Sequence, residues 1–451
     1  MEKDDKNRMV EEICSLLDKH DYKALREYMT GINVVDMAGI VEELPSDRAV
    51  IAFRTLHKNT GAEVFAELDG ETQQRIINAI TDKELSYIIE ELNVDDAVDM
   101  LEEMPANMVL RVLINSSSET RLLINKFLRY PENSAGSIMT AEFTELDGEM
   151  TIEEAIAHIR AVGGNKETIY TCYVADKYRR LSGEITVKDM LLSQDTKKVS
   201  EIMTEDAISI LTTADREEAV MLMSKYYLTS LPVVDTEGRL VGIITVDDAL
   251  DVIQEETTED FEKMAAMAPS EKPYLRTGVM QISKNRLPWL LALMVSSMLT
   301  GLILTHFGPV YGVLPMLITF MPMLTGTGGN AGSQSSTMVI RGMALGEINL
   351  SDVLAVLKKE AGISIIVGII LGLLNFIRLA VTNPGSTGVA IVVSVSQMGA
   401  IVLAKTIGGV LPMAAKAVGI DPAIMAAPMI TTIVDCVTLI LYFTIAKLTL
   451  I

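Results

Sequence analysis

The pattern of apolar and polar positions divides the chain into three stretches. Residues 1–130 hold short apolar-periodic helices separated by turns, with no convincing strand. The turns recur as Val41-Glu-Glu-Leu-Pro45, Ala66-Glu-Leu-Asp-Gly70, Glu90-Glu-Leu-Asn93 and Leu101-Glu-Glu-Met-Pro105, which predicts a small all-α superhelix of stacked helical pairs. From 137 to 250 the chain repeats itself. Met139-Thr140 returns as Met203-Thr204, and Glu153-Glu154-Ala155 as Glu217-Glu218-Ala219, both 64 residues later. Further on the offset is 59: Leu181-Ser-Gly183-Glu-Ile-Thr186-Val-Lys-Asp189 answers Leu240-Val-Gly242-Ile-Ile-Thr245-Val-Asp-Asp248. The first copy therefore holds five extra residues, expected near Gly163-Gly164-Asn165. Each copy reads helix, strand, turn, strand, helix, and Asp235-Thr-Glu-Gly238 predicts a hairpin turn.

After Arg286 the runs become long and apolar, each near the roughly 20 residues that cross a bilayer as a helix. Five spans are expected, at about 287–307, 311–339, 360–381, 387–412 and 422–447. The second and fourth exceed what is needed and should tilt or break. Basic residues precede span 1 (Lys272, Arg276, Lys284, Arg286), separate spans 2 and 3 (Arg341, Lys358, Lys359) and separate spans 4 and 5 (Lys416). The connections at 306–311 and 382–387 carry none. The positive-inside rule then places the N-terminal part in the cytoplasm and the C-terminus outside. The charged start MEKDDKNRMVEEICSLLDKH has no apolar signal core, which gives the same expectation.

Charge sharpens this division. The chain carries 60 acidic and 38 basic side chains, a net charge of −22, and from Arg286 onward only five are acidic and eight basic. The acidity thus belongs to the first 285 residues. No basic face for nucleic acid can be built from this balance. Three scattered cysteines, Cys14, Cys172 and Cys436, exclude a disulfide scaffold. No nucleophile–base pair and no His-rich metal motif points to an enzyme.

Three groups of residues carry candidate chemistry. A single acid, Asp435, sits deep in a span, where an ionised carboxylate costs roughly 2.5–3.5 kcal/mol. The alternatives are an ion pathway and a helix-packing Asp; Lys405 is the nearest basic candidate partner, toward the cytoplasmic end of span 4. Span 2 is the second anomaly, rich in glycine and hydroxyl residues, with Asn330 and Gln334 four apart. Small residues permit close helix approach, and the two amides predict a wet polar stripe. Third, Asp251, Glu255, Glu259 and Glu262 share one helical stripe, with Asp248 and Glu256 beside it. A second stripe holds Asp95, Asp99, Glu102 and Glu103. Facing carboxylate surfaces repel unless divalent cations lie between them, and oxygen-only ligands select hard cations such as Mg2+ or Ca2+.

The two Gly-x-x-Thr-x-x-Asp motifs, Gly183/Thr186/Asp189 and Gly242/Thr245/Asp248, resemble those of a tandem pair of CBS domains. That resemblance implies nucleotide contact, ATP included, with Thr245 and Asp248 as candidates; a cap on the following helix is the alternative for both motifs. The whole order of parts resembles the MgtE family of magnesium channels. Tyr130-Pro-Glu-Asn-Ser134-Ala-Gly136-Ser-Ile-Met139-Thr140, Gly329-Asn330-Ala-Gly332-Ser-Gln334, and Asp421-Pro422 with Thr431-Thr432-Ile-Val-Asp435 carry the likeness. It implies a multidomain membrane protein: an acidic helical domain (1–130), two CBS domains (131–200 and 201–250), an acidic plug helix (251–275) and a five-helix transmembrane domain (276–451). It further implies a homodimer in the cell membrane, with a Mg2+ pore on the twofold axis between spans 2 and 5. Asp435 stands where the family's pore carboxylate stands, with Asn330, Gln334, Thr431 and Thr432 as candidate pore-lining residues. Intracellular Mg2+ would close the pore through Asp95, Asp99, Asp248, Asp251, Glu255, Glu256, Glu259, Asp260 and Asp421. Tyr226-Tyr227 stands where some relatives carry an acid, so one regulatory site is expected to be absent. A nucleotide-sensing membrane regulator is the alternative function.

Overall fold

The computed structural model describes residues 3–270, 274–275 and 277–450. Lys272 and Arg276, used above for the orientation, lie outside them. The chain forms two compact units, Met1–Ile253 and Gln254–Ile451.

The first unit opens with ten helices: α1 (Lys3–Asp18), α2 (Tyr22–Met29), α3 (Val34–Glu43), α4 (Ser46–Thr55), α5 (Lys58–Ala66), α6 (Gly70–Ala79), α7 (Asp82–Glu91), α8 (Val94–Glu102), α9 (Ala106–Asn115) and α10 (Ser118–Phe127). The recurring turns are start signals. Pro45 and Pro105 are the residues from which α4 and α9 begin, and Asp69, Thr81 and Ser117 accept hydrogen bonds from the first turns of α6, α7 and α10. Each helix packs on the second one along, α3 on α5, α5 on α7 and α7 on α9. Polar bonds repeat at the same interval: Arg26 to the Thr55 carbonyl, Arg54 to Glu84, and Arg111 to Asp82. This is the expected superhelix of helical pairs.

The repeat follows. Its first copy holds β1 (Glu145–Asp147), α11 (Ile152–Val162), β2 (Thr171–Ala175), β3 (Leu181–Thr186) and α12 (Val187–Leu192). The second holds β4 (Thr204–Glu205), β5 (Ile210–Leu211), α13 (Arg216–Tyr226), β6 (Ser230–Val234), β7 (Leu240–Thr245) and α14 (Val246–Met264). The extra residues of the first copy form a 3-10 turn at Gly163–Asn165, where they were expected. In the Asp235–Gly238 hairpin, Asp235 Oδ1 accepts from the amides of Glu237 and Arg239, and Gly238 takes a left-handed φ of 78°.

The two copies exchange their leading Met-Thr segments. Thr140, ahead of the first copy, pairs with Ile243 on β7 through reciprocal bonds of 2.8 and 2.9 Å. Thr204, ahead of the second, pairs with Glu184 on β3. This exchange accounts for the motif glycines. A Cβ on Gly242 would lie 2.7 Å from the Thr140 carbonyl oxygen, and one on Gly183 2.6 Å from that of Thr204. Only glycine admits backbone so close.

Among the described residues of the second unit, four helices are long and apolar enough to cross a membrane. They are α15 (Val279–His306), α18 (Val353–Thr382, entered through a 3-10 turn), α19 (Thr387–Ala417) and α20 (Ala427–Leu450). Between the first two, the long apolar run expected as span 2 is broken into α16 (Gly308–Val313), a 3-10 segment Pro315–Phe320, and α17 (Met321–Ala344). Each piece carries proline, with no N–H to bond backward, in its first two positions. Helix α17 is long enough to span but is diluted by glycine and hydroxyl residues. It packs on α19 and α20, and α18 packs on α19.

Gly242→Ala should cost about 1–3 kcal/mol by overpacking, whereas Gly164→Ala, with nothing near its Cβ position, should be close to neutral. Thermal unfolding of the detergent-solubilised protein reads both. Equal melting curves would show that the exchanged segment yields freely.

Candidate functional site

Each unit carries its own candidates: the first holds one carboxylate cluster, and the second holds another cluster and a polar helix face. In the first unit, burial of Val94, Ala97, Val98 and Leu101 fixes the rotation of α8. That rotation turns Asp95 and Asp96 inward and leaves Asp99 exposed. Asp95 is the more enclosed, and its Oδ1 is buried without a hydrogen-bond partner. Burial, with Asp96, Asp248 and Glu142 nearby, pushes its carboxyl well above the usual range. Burial, followed by Asp248, Glu167, Glu67 and Glu142, pushes Asp96 up to about 7. Burial raises Asp248 as well, against the opposing bond from Thr245, and Glu67 rises with partial burial and the charges of Asp251 and Asp247. Asp96, Glu67, Glu142 and Glu167 stand near Asp95 and Asp248, acids that the stripe reading did not name. Among the described residues no three acid, His or Cys side chains converge closely enough to hold a metal ion as they stand. The donors are all oxygen, and the orphaned Asp95 oxygen fits a hard cation, hydrated or drawn in by closure.

The second cluster lies in the other unit, on the C-terminal half of α14. Lys263 Nζ lies 2.7 Å from Asp421 Oδ2 and 2.5 Å from Glu259 Oε1. Burial opposes its charge, but the bonds from Asp421 and Glu259 prevail and raise its pKa. Asp260 beside them is raised by burial and by Asp421. A lysine ammonium, missed because the stripe was read for acids only, holds Asp421.

The polar face is on α17. Gly326, Asn330, Gln334 and Thr337 follow one another along its exposed side, while Gly328, Gly329 and Gly332 are buried. A Cβ on Gly329 would lie 3.0 Å from Thr431, and one on Gly332 2.7 Å from Ile430, so α20 lies directly against the glycines. Asp435 is half-buried on α20. Thr431 and Thr432 both donate to the Pro428 carbonyl at 3.0 Å. Lys405 does not serve Asp435; it lies 3.9 Å from Glu360, a second buried acid of the membrane unit.

The two Thr/Asp motifs make the same local bond, Thr186 Oγ1 to Asp189 Oδ2 and Thr245 Oγ1 to Asp248 Oδ2. Thr245 and Asp248 bond each other at 2.5 Å, and Asp248 belongs to the acidic cluster. A cleft of about 680 Å3 lies beside the first motif, lined by Tyr170, Thr171, Thr186, Lys188 and Leu191, with Thr229 of the second copy. Thr186 and Asp189 also cap α12, at 3.1 Å from the Asp189 amide.

Asp96 binds its proton more tightly when folded, so its ionisation opposes folding. That opposition is absent below the ordinary carboxylate range, near ~4, and complete above about 7. In Mg2+-free buffer the full-length protein in detergent should therefore melt lower as pH rises from acid to neutral. Asp96→Asn should flatten the profile. A melting temperature insensitive to pH in the native chain would show these acids to be unstrained.

Comparison with known proteins accords with this layout. Family models match residues 321–445 (MgtE, divalent cation transporter), 32–133 (MgtE intracellular N domain) and 199–255 (CBS domain). The magnesium transporter MgtE of Thermus thermophilus is 34% identical over 96% of this chain and 97% of its own length. That of Bacillus subtilis is 28% identical over 98% and 97%. Among solved structures, the cytosolic domain of the Mg2+ channel MgtE in complex with ATP is 35% identical, with a TM-score of 0.52, over 54% of this chain and 99% of that one. The soluble part of a magnesium transporter has a TM-score of 0.53 at 25% identity, over 56% and 99%. With relatives aligned from end to end, and with helical superhelix, paired CBS motifs and apolar helices in the same order, the chain belongs to the MgtE family.

Proposed function

We propose that this protein is a Mg2+ channel of the cell membrane, working as a homodimer and closed by cytoplasmic Mg2+. The observation that carries the reading is the exposed row Asn330, Gln334 and Thr337 on a membrane helix packed against the helix of Asp435. Amides do not face lipid without cost. A second copy across a watered axis supplies the polar surroundings they need, and two Asp435 carboxylates then flank one path. Mg2+ dehydrates reluctantly, so it passes largely hydrated, its waters held by the carboxylates, by Asn330 and Gln334, and by the hydroxyls of Thr431 and Thr432. In this reading the N-terminus is cytoplasmic and the C-terminus extracytoplasmic.

Regulation follows from the carboxylate clusters. Mg2+ at Asp95, Asp96, Glu67, Asp248 and Asp251 relieves the repulsion that burial intensifies. Mg2+ at Glu255, Glu256, Glu259 and Asp260 adds to the charge that Lys263 already supplies near Asp421. Open carboxylate sites bind weakly, on the order of 10⁻⁴–10⁻³ M by comparison with extracellular calcium modules. One such site stabilises closure by only about 0.6 kcal/mol when the ion stands near 1.7 times its dissociation constant. Turning a mostly open channel into a mostly closed one takes about 5.5 kcal/mol. Several sites must act together. The Thr186 cleft is the place for ATP, which the solved relative binds in its cytosolic domain.

Asp435→Ala should abolish Mg2+ uptake into proteoliposomes while the dimer remains folded; undiminished uptake would remove Asp435 from the pathway and favour a regulator that only senses nucleotide. Changing Glu255, Glu256 and Glu259 together to Gln should leave a channel whose flux no longer responds to internal Mg2+. Retained closure in that variant would place regulation elsewhere.

A further inference from the structure

We propose that Ser335, Glu360 and Lys405 form a buried ionic clasp that sets the rotation and height of α17, and so are positioning residues for conduction. The three side chains come from three helices, α17, α18 and α19, and are 2%, 8% and 5% exposed. Ser335 Oγ donates to Glu360 Oε2 at 2.6 Å, and Lys405 Nζ donates to the same Oγ at 3.2 Å. The hydroxyl stands between two opposite charges 3.9 Å apart. This proposal rests on the reading of α17 as a wall of the pathway.

Stability does not explain such a group. Replacing a buried ion pair by apolar side chains is often neutral or stabilising, whereas fixing a register is its best-attested use. Leu324, Val339 and Met343 pack as knobs toward the ends of α17, and Ser336 donates to the Met425 carbonyl, but the middle of the helix, from Gly328 to Gly332, meets its neighbours through small residues. Gly328 and Gly329 lie against Thr438 and Thr431 of α20, and Gly332 and Gly408 bring α17 and α19 together backbone to backbone. Such faces lie close but present no large knobs, so they resist rotation and sliding weakly. Successive residues on a helix diverge by about 100°. Holding Ser335 toward α18 and α19 therefore turns Gln334, and Asn330 one turn earlier, to the exposed side. A bond geometry among three helices fixes what the glycines leave loose, and the waters carried past Asn330 and Gln334 depend on it.

The full-length protein in liposomes tests this through Mg2+ uptake against external Mg2+. Glu360→Gln and Lys405→Met should each lower maximal uptake about 10-fold or more, with half-saturation moving less than about twofold, because Asp435 is untouched. Ser335→Ala should lower it less, and the exchanged pair Glu360→Lys with Lys405→Glu should recover much of the loss. Because buried-charge variants risk misfolding, each is also made with Gln334→Cys after Cys14→Ser, Cys172→Ser and Cys436→Ser. Reaction of that thiol with a water-soluble reagent should slow in the single variants even where the melting temperature is unchanged. Native uptake and labelling in Glu360→Gln and Lys405→Met would overturn the clasp. So would losses that merely track melting temperature and are not recovered by charge exchange. Asp435→Ala separates the two readings: normal uptake there defeats the pathway itself, whereas its loss beside unaffected clasp variants defeats only the clasp.

Discussion

A carboxylate withdrawn from water must be neutralised, by a proton, a lysine or a metal ion, and much of this molecule is arranged around that requirement. Three answers occur. Glu360 in the membrane unit meets Lys405 through the Ser335 hydroxyl. Asp421 and Glu259 meet Lys263. Asp95 and Asp96 meet mainly other acids, and their raised affinity for protons records the deficit. The first two are settled within the chain. The third is not settled by any basic side chain named among the causes of those shifts, and on the function proposed here Mg2+ meets it.

The membrane unit applies a related constraint to its backbone. A helix of glycine and small hydroxyl residues lets its neighbours approach until only glycine fits, and keeps amides on the side away from them. The same composition that makes α17 a poor apolar span makes it suitable as the wall of a hydrated path. The first unit uses glycine similarly, where Gly183 and Gly242 admit the exchanged Met-Thr segments that tie the two repeat copies together.

Much of this was legible in the sequence because the signals are local. Helix starts at Pro45, Asp69, Asn93 and Pro105, the repeat, and the Asp235–Gly238 hairpin all declare themselves within a few residues. What escaped depends on partners distant in sequence. The strand exchange could not be seen, since Thr140 and Ile243 are separated by most of the repeat. Spacing four apart grouped Asp95 with Asp99, but the buried face of α8 decides which acids turn inward, and Asp96 does so. Lys263 and Glu360 were overlooked for opposite reasons, one as a lone base among acids and the other as an acid at the edge of a span. The cleft beside Thr186 escaped because Thr229, from the other copy, helps to line it.

The central claim is that cytoplasmic Mg2+ closes the channel by neutralising several weak carboxylate sites at once. Mg2+ flux through the native protein in oriented proteoliposomes, measured while internal free Mg2+ is titrated, addresses it most directly. The account predicts steep closure with a Hill coefficient above about 2, centred on the order of 10⁻⁴–10⁻³ M. Flux that is indifferent to internal Mg2+, or that declines as a shallow one-site curve, would contradict it.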